Sequence, residues 1–262
     1  MKRYIYKQLL AWKNEKEHKP LILNGARQVG KTYILREFGR NEYKRMAFFS
    51  LDRDQKALEI FNKGGRATDM LMALSAICHE DITPHDTLVV LDEIQNCPKA
   101  LEALKFFCEE TPEIDIVVAG SLLGLSIHSG VSYPVGKVEE LHLYPMTFLE
   151  FLEAMGKTQL VNLLENKNWT VINMLETELI SSLRQYYYVG GMPAAVLAHI
   201  EKKGWKEVRR IQQQIITDYR RDFSKHAPTR EIPRINMVWD SIPAQLAKEN
   251  KKFVYGAVKK SA

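Results

Sequence analysis

The sequence has little cysteine and no long apolar run, and both absences narrow the class of protein. Its three cysteines, Cys78, Cys97 and Cys108, are odd in number and lack metal-ligand spacing, so we expect no disulfide framework and a reducing, cytoplasmic setting. No stretch approaches the roughly 20 apolar residues that cross a bilayer, so we expect no membrane partner. The histidines form no His-Glu-x-x-His array, so we assign them no metal site.

A strong charge of one sign is also lacking. The 262 residues carry a net charge of +5 and are 45% hydrophobic and 26% charged, an ordinary balance for a globular protein. Basic pairs at Arg209-Arg210 and Arg220-Arg221 lie in a segment where apolar residues recur at helical spacing. A solvated helix face explains these arginines better than nucleic-acid contact, since no pattern of interleaved aromatic and basic residues accompanies them.

The segment Gly25–Thr32 has the complete pattern of a phosphate-binding loop. It reads Gly-Ala-Arg-Gln-Val-Gly-Lys-Thr and follows a short apolar run that predicts a buried strand. Gly25 and Gly30 allow the backbone to approach an anion closely with its N–H groups pointing inward. Lys31 would reach the β- and γ-phosphates, and the Thr32 hydroxyl would be a ligand of Mg²⁺. The residues predicted to bind nucleotide here are Gly25, Ala26, Arg27, Gln28, Val29, Gly30, Lys31, Thr32 and Tyr33.

A second segment, Thr87–Gln95, supplies two carboxylates. Leu88–Leu91 is a run of four apolar residues that predicts a strand buried on both faces. Asp92 follows at the carboxyl end of that strand, where open α/β sheets bind their ligands, and we expect it to hold the Mg²⁺ shell. Glu93 is then placed to polarise an attacking water. The alternative is that this acidic pair only caps a following helix.

A third apolar strand is predicted at Ile114–Gly120, and Ser121 stands at its end. The sequence leaves two roles open for the Ser121 hydroxyl. It could sense the γ-phosphate or position the water, or it could cap the next helix, which is a common role of serine.

The alternation of strands and helices predicts an α/β fold with a doubly wound parallel sheet. We expect its strands near Leu21, Phe48, Val89, Val117 and Leu141. After residue 145 the pattern is helical almost throughout, which predicts a lid. The expected division is therefore a core at residues 1–145, a helical lid at 146–227 and a last segment at 228–262. In that last segment we expect Pro243 to end one short helix and begin the next.

Several motifs together resemble the predicted prokaryotic ATPases of the AAA+ superfamily. They are Gly25–Thr32, Leu91–Gln95, Ala119–Ser121, Leu143–Phe148 with Glu150–Leu152, and Gly190–Pro193. The resemblance covers nearly the whole chain with the motifs in the same order. Pro145–Phe148 is its most specific part, because this stretch performs no generic nucleotide chemistry.

The resemblance implies an AAA+-like P-loop NTPase fold with a five-stranded parallel sheet, a helical lid and a winged-helix segment. It also implies that ATP is the nucleotide, that Ser121 occupies the sensor position and that Pro193 lies against the adenine ring. Members of the family are longer than this chain, so we expect the winged-helix segment to be incomplete. AAA+ proteins often use an arginine finger from a neighbouring subunit, and Arg220 and Arg221 are candidates for it.

Together these observations predict an ATPase that requires Mg²⁺ and whose hydrolysis drives a conformational switch. Lys31, Glu93 and Ser121 would serve catalysis, while Thr32 and Asp92 would hold the metal. A nucleotide-gated binding module with little turnover, associated with nucleic acid, is the alternative, and a small-molecule kinase is a third reading. The sequence leaves open whether the protein forms a homo-oligomer and whether it has a DNA or protein partner.

Overall fold

The computed structural model describes residues 1–121, 133–249 and 252–258, without the side chains of residues 121, 224–226 and 257. The chain divides into two compact units, Met1–Ile211 and Gln212–Ala262. Within the described ranges, no helix is both long enough and apolar enough to cross a bilayer. The finer division into core, lid and last segment stays a prediction.

The first unit is built on one sheet of five parallel strands in the order β2-β3-β4-β1-β5. The strands are β1 Leu21–Gly25, β2 Arg45–Ser50, β3 Thr87–Asp92, β4 Asp115–Ser121 and β5 Glu139–Leu143. Each includes the residue near which the sequence predicted a strand, and the sheet confirms the predicted α/β fold class. Gly25, the last residue of β1, pairs with Ser121 on one side and with Leu143 on the other.

Helices connect the strands and then form the helical part that the sequence predicted after β5. Those before β5 are α1 Ile5–Asn14, α2 Lys31–Glu42, α3 Gln55–Lys63, α4 Ala67–Cys78 and α5 Pro98–Glu110, with a 3₁₀ turn at Ile94–Asn96. Those after β5 are α6 Phe148–Ala154, α7 Thr158–Glu165, α8 Trp169–Met174, α9 Glu176–Val189, α10 Pro193–Ile200, α11 Trp205–His226, α12 Ile232–Leu246 and α13 Tyr255–Val258.

The sheet is sealed on both faces because side chains of one strand alternate between two apolar clusters. In β3, Val89 and Leu91 belong to the first cluster, and Leu88 and Val90 belong to the second. Residues of α3, α4 and α5 complete the first cluster, whereas residues of α1 and α2 complete the second. The uninterrupted apolar runs seen in the sequence are therefore the interior of a two-sided sheet.

The helices after β5 have a smaller apolar cluster of their own, which includes Met146, Phe151, Val189, Val196 and Val208. The first of these helices, α6, begins with a capping box. The Thr147 side chain accepts a hydrogen bond from the Glu150 N–H, and the Glu150 carboxylate accepts one from the Thr147 N–H. This reciprocal cap fixes where the chain turns from β5 into the lid.

In the second unit, the expectation that Pro243 ends a helix is wrong. Pro243 lies inside α12, which continues to Leu246. Hydrogen bonds beyond this proline hold the last turn, since the Gln245 side chain accepts from the Val254 N–H and donates to the Val254 carbonyl. In the same unit, Trp239 stacks on Tyr219 with ring centroids 5.8 Å apart.

A buried histidine and a buried carboxylate meet at the amino ends of the central strands. His18 Nε2, just before β1, lies 2.9 Å from Oδ1 of Asp115, the first residue of β4. The side chains are 5% and 1% exposed, so water screens their attraction weakly. The hydrogen bond to Asp115 raises the pKa of His18 above its ordinary value, against the opposing effect of burial.

This pair predicts a pH dependence of stability. Because the pKa of His18 is raised by folding, its contribution is fully present below about pH 6.5 and is lost as the pH rises through the folded-state pKa. We expect the free energy of unfolding, measured by urea titration, to fall as the pH rises from about 6.5 through the folded-state pKa of His18. The His18→Gln variant should show a flatter profile, whereas the exposed His79→Asn variant should keep the parent slope. A parent slope retained in His18→Gln would contradict the assignment.

Candidate nucleotide-binding site

The phosphate loop lies between β1 and α2, as the sequence predicted. Gly30 is the N-cap of α2 and has φ +100°, a conformation that side chains disfavour. Gly25 is constrained differently, since a Cβ there would lie 2.4 Å from the Leu143 carbonyl oxygen. The loop therefore begins in close contact with the backbone of β5 and ends in a left-handed conformation. The first turn of α2 leaves backbone N–H groups without helical partners, as anion sites at helix N-termini do.

The Lys31 ammonium lies within this loop. Its Nζ donates to the carbonyl oxygens of Gly25 and Ala26, at 2.8 and 3.0 Å. These two neutral carbonyl groups hold the Lys31 ammonium against the backbone of the loop. A phosphate bound in the loop would offer the same ammonium charged oxygens, which are stronger acceptors.

Thr32 and Asp92 meet although 60 residues separate them, because the Thr32 hydroxyl donates to Asp92 Oδ2 at 2.6 Å. Asp92 ends β3 and is 4% exposed, and its Oδ1 accepts the Glu93 N–H at 3.0 Å. A hydroxyl and a carboxylate are both hard oxygen ligands of the kind Mg²⁺ prefers. The donor set therefore fits the metal that the family implies.

Glu93 adopts a left-handed conformation with φ +56° immediately after β3. Its carboxylate accepts a hydrogen bond from the side-chain amide of Gln95, in the 3₁₀ turn that follows. Positive φ at a non-glycine residue is uncommon and often marks a functional site. Gln95 is 8% exposed and was missed as a functional residue, although it lay within the motif that carried the resemblance.

Two residues of the predicted site, Ser121 and Pro193, lie outside both the phosphate loop and β3. Ser121 ends β4 beside Gly25, but its side chain is outside the described part of the chain, so the sensor role stays a prediction. Pro193 opens α10, and its Cγ lies 3.8 Å from where a Cβ of Gly30 would be. The structure thus places Pro193 next to the phosphate loop. Its contact with adenine stays a prediction.

A tight backbone contact fixes the turn that carries Pro193. The Met146 N–H donates to the Gly191 carbonyl at 2.7 Å, and a Cβ on Gly191 would lie 2.3 Å from the Met146 carbonyl oxygen. The Tyr186 hydroxyl donates to that same Met146 carbonyl at 2.8 Å. Only glycine fits at position 191, because any side chain there would overlap the Met146 backbone.

The remaining loop side chains divide between the core and solvent, since Val29 is fully buried in the cluster that α1 and α2 complete. Arg27 and Gln28 are exposed, and Tyr33 in the first turn of α2 is 57% exposed.

Sequence reasoning missed two buried charges beside the loop. Arg3 is 8% exposed and Glu150 is 3% exposed, and Arg3 Nε lies 3.1 Å from Glu150 Oε1. For Glu150 the sequence offered two signals, its capping-box spacing from Thr147 and its place in the motif Glu150–Leu152 that contributed to the resemblance. No local sequence pattern indicated that Arg3, which follows Lys2 at the beginning of the sequence, would be buried.

A glycine-rich loop between the first strand of a parallel sheet and a helix, with a carboxylate at a nearby strand end, defines a P-loop nucleotide-binding fold. Residues 17–152, slightly more than half of the chain, match a family model described as an AAA domain, and the chain belongs to this family. Residues 180–262 match a second model, described as a domain of unknown function (DUF8612). No curated protein sequence matches the chain.

Comparison with solved structures finds matches at low sequence identity. The Walker-type ATPase PABY2304 of Pyrococcus abyssi is similar over 99% of this chain and 88% of its own, with 15% identity and a TM-score of 0.58. Drosophila ORC, solved bound to DNA, is similar over 96% of this chain and 73% of its own, with 16% identity and a TM-score of 0.47. Cdc6p from Pyrobaculum aerophilum covers 60% of this chain and 50% of its own, with 18% identity and a TM-score of 0.39. At 15% identity, the first likeness is one of fold.

The close approach of Gly25 to the Leu143 carbonyl predicts the effect of adding one methyl group at position 25. We expect Gly25→Ala to lower the free energy of unfolding by about 1–3 kcal/mol, because its Cβ would overlap a strand carbonyl that cannot move freely. Gly256→Ala is the control, since a Cβ there meets nothing within 4 Å. Urea denaturation of both variants measures the difference. Equal stability of the two alanine variants would contradict the close approach at Gly25.

Proposed function

We propose that this protein is a Mg²⁺-dependent ATPase whose cycle of ATP binding and hydrolysis drives a conformational switch. The observation that carries the proposal is the contact between the Thr32 hydroxyl and the Asp92 carboxylate. It brings two ligands suited to Mg²⁺ from different elements to the mouth of the phosphate loop. Membership in the AAA domain family supports the same conclusion.

Each residue then has a distinct task. The loop backbone and Lys31 bind the phosphates, and the N-terminus of α2 favours their negative charge. Glu93 orients and polarises the water that attacks the γ-phosphate. Thr32 and Asp92 would hold Mg²⁺, which neutralises charge on the phosphate oxygens when it is bound. Ser121, at the end of the strand beside the loop, would sense the γ-phosphate.

The conformational switch would work through the turn Gly190–Pro193, which joins α9 to α10. Pro193 lies beside Gly30, and the Gly191 carbonyl is bonded to the backbone where the chain leaves β5 for the lid. A nucleotide that enters the loop would alter the surroundings of Pro193, and the tight turn would pass this change to α10. The winged-helix segment, a homo-oligomer and a DNA or protein partner stay predictions.

One observation favours the second candidate, a nucleotide-gated module with little turnover. The Gln95 amide holds the Glu93 carboxylate, and a carboxylate held in this way is less available to a water molecule. If this restraint dominates, Gln95→Ala should raise ATP turnover several-fold without changing ATP affinity. A fall in turnover would instead favour an orienting role for Gln95 in an active ATPase.

The proposal predicts separate effects on binding and turnover. Lys31→Ala should abolish measurable ATP binding, because the loop then lacks its charge for the β- and γ-phosphates. Glu93→Gln should keep binding and lose roughly 10²- to 10⁴-fold in turnover, the usual contribution of a positioned base. Calorimetry measures the first effect and phosphate release measures the second.

The exposed Glu113→Gln variant is the matched control and should behave as the parent. Phosphate release by the parent without any added acceptor distinguishes an ATPase from a small-molecule kinase. Unchanged turnover in Glu93→Gln would remove this residue from the mechanism. Tight ATP binding by Lys31→Ala would remove the phosphate-loop assignment itself.

A further inference from the structure

A guanidinium group lies directly against the phosphate loop. Arg3, two residues before α1, donates from Nη1 to the Val29 carbonyl at 3.0 Å and from Nη2 to the Tyr144 carbonyl at 2.5 Å. Its Nε donates to Glu150 Oε1 at 3.1 Å. One side chain thereby joins the loop, the chain just after β5 and the first lid helix.

Glu150 holds this guanidinium in a single orientation. Its carboxylate also accepts the Tyr4 N–H and the Thr147 N–H, both at 2.8 Å. The two charged side chains are 6% and 4% exposed, so rotating either one away would leave a buried charge without its partner. The pair is close to neutral as a whole. Arg3 therefore acts on the loop through its hydrogen bond and much less through long-range charge.

The hydrogen bond to Val29 also sets the direction of the next N–H group. The Val29 carbonyl and the Gly30 N–H belong to one peptide unit, and in a planar trans peptide they point in opposite directions. No peptide bond in the described part of the chain is cis. Because Arg3 draws the carbonyl toward itself, the Gly30 N–H points away from the guanidinium.

Gly30 needs such a restraint more than other residues do. Its φ of +100° lies in a region that glycine enters and leaves at little cost, so the peptide on its amino side can rotate easily. A Cβ on Gly30 would lie 3.8 Å from Arg3 Nη1 and 3.8 Å from Pro193 Cγ, with no clash. The Arg3 hydrogen bond to the Val29 carbonyl therefore supplies a restraint on this peptide that the backbone preferences of glycine do not.

We propose that Arg3 is a positioning residue for phosphate binding, which orients the Gly30 N–H toward the bound nucleotide by holding the Val29 carbonyl, while Glu150 holds Arg3. This inference rests on the proposed function, since the direction of that N–H matters only if phosphates enter the loop. Arg3 itself does not contact the nucleotide in this role.

The test replaces both members of the pair, so that no buried charge is left alone. In the Arg3→Met, Glu150→Gln double variant the guanidinium is absent and the apolar length of the side chain is kept. We expect ADP affinity, measured by calorimetry without Mg²⁺, to fall roughly 10- to 100-fold, as for the loss of one hydrogen bond from the Gly30 N–H to a charged phosphate. Arg3→Lys keeps one donor group and should recover part of this loss.

A spectroscopic readout separates positioning from simple destabilisation. The chain has 14 glycines, so protein labelled with ¹⁵N at glycine gives a sparse amide spectrum. We expect addition of ADP to shift the Gly30 amide resonance strongly in the parent and weakly in the double variant. Arg3→Lys should restore part of the shift.

The control is Ser182→Ala, which weakens the lid without touching the loop. Ser182 is 1% exposed and donates to the Glu178 carbonyl at 2.8 Å. We expect this variant to melt at a lower temperature and to bind ADP as the parent does. If Ser182→Ala lost as much ADP affinity as the double variant, the loss would reflect general destabilisation of the helices after β5. The proposed role of Arg3 would then be wrong.

The remaining outcomes are also decisive. ADP affinity of the double variant within twofold of the parent, with the same Gly30 shift, would overturn the role of Arg3 and leave the proposed function intact. A parent that binds neither ADP nor ATP would overturn the proposed function and this inference together. If the double variant does not fold, Arg3→Lys decides the matter, since it must bind ADP more weakly than the parent and show a smaller Gly30 shift.

Discussion

The hydrogen bond between Thr32 and Asp92 is the contact on which the candidate site depends. Thr32 follows β1 and Asp92 ends β3, and only β4 lies between these strands in the sheet. In a parallel sheet all carboxyl ends lie at one edge, so this order brings the two side chains together. With a different strand order, the same two motifs would remain readable in the sequence and would form no shared site.

The interior of the sheet explains why the chemistry is confined to that edge. Side chains within the strands alternate between two apolar clusters, and helices cover both. A charge placed there would lose its water without gaining a partner. At the opposite edge, the buried polar pair His18 and Asp115 is tolerated because each side chain has the other within hydrogen-bonding distance.

The sequence predicted those parts of the molecule that local patterns encode. Strands β1 and β3 were predicted because a strand buried on both faces is a continuous apolar run, and the phosphate loop was predicted because its glycines and lysine are close together in the chain. Arg3 and Glu150 were missed because their contact spans 147 residues, and burial of a charge leaves no local signature. Pro243 was misjudged because hydrogen bonds from Gln245 stabilise the helix end beyond it. The role of Ser121 and the winged-helix segment stay predictions.

The separation between an apolar body and polar strand ends has an evolutionary consequence. Thr32 lies in the first turn of α2 and Glu93 comes directly after β3, so mutations at either residue require no rearrangement of the side chains packed within the sheet. A lineage could therefore lose catalysis by a single substitution and still inherit the whole architecture. Descendants of such an ancestor would look like enzymes in outline, and only the identity of a few residues at the strand ends would tell the two apart.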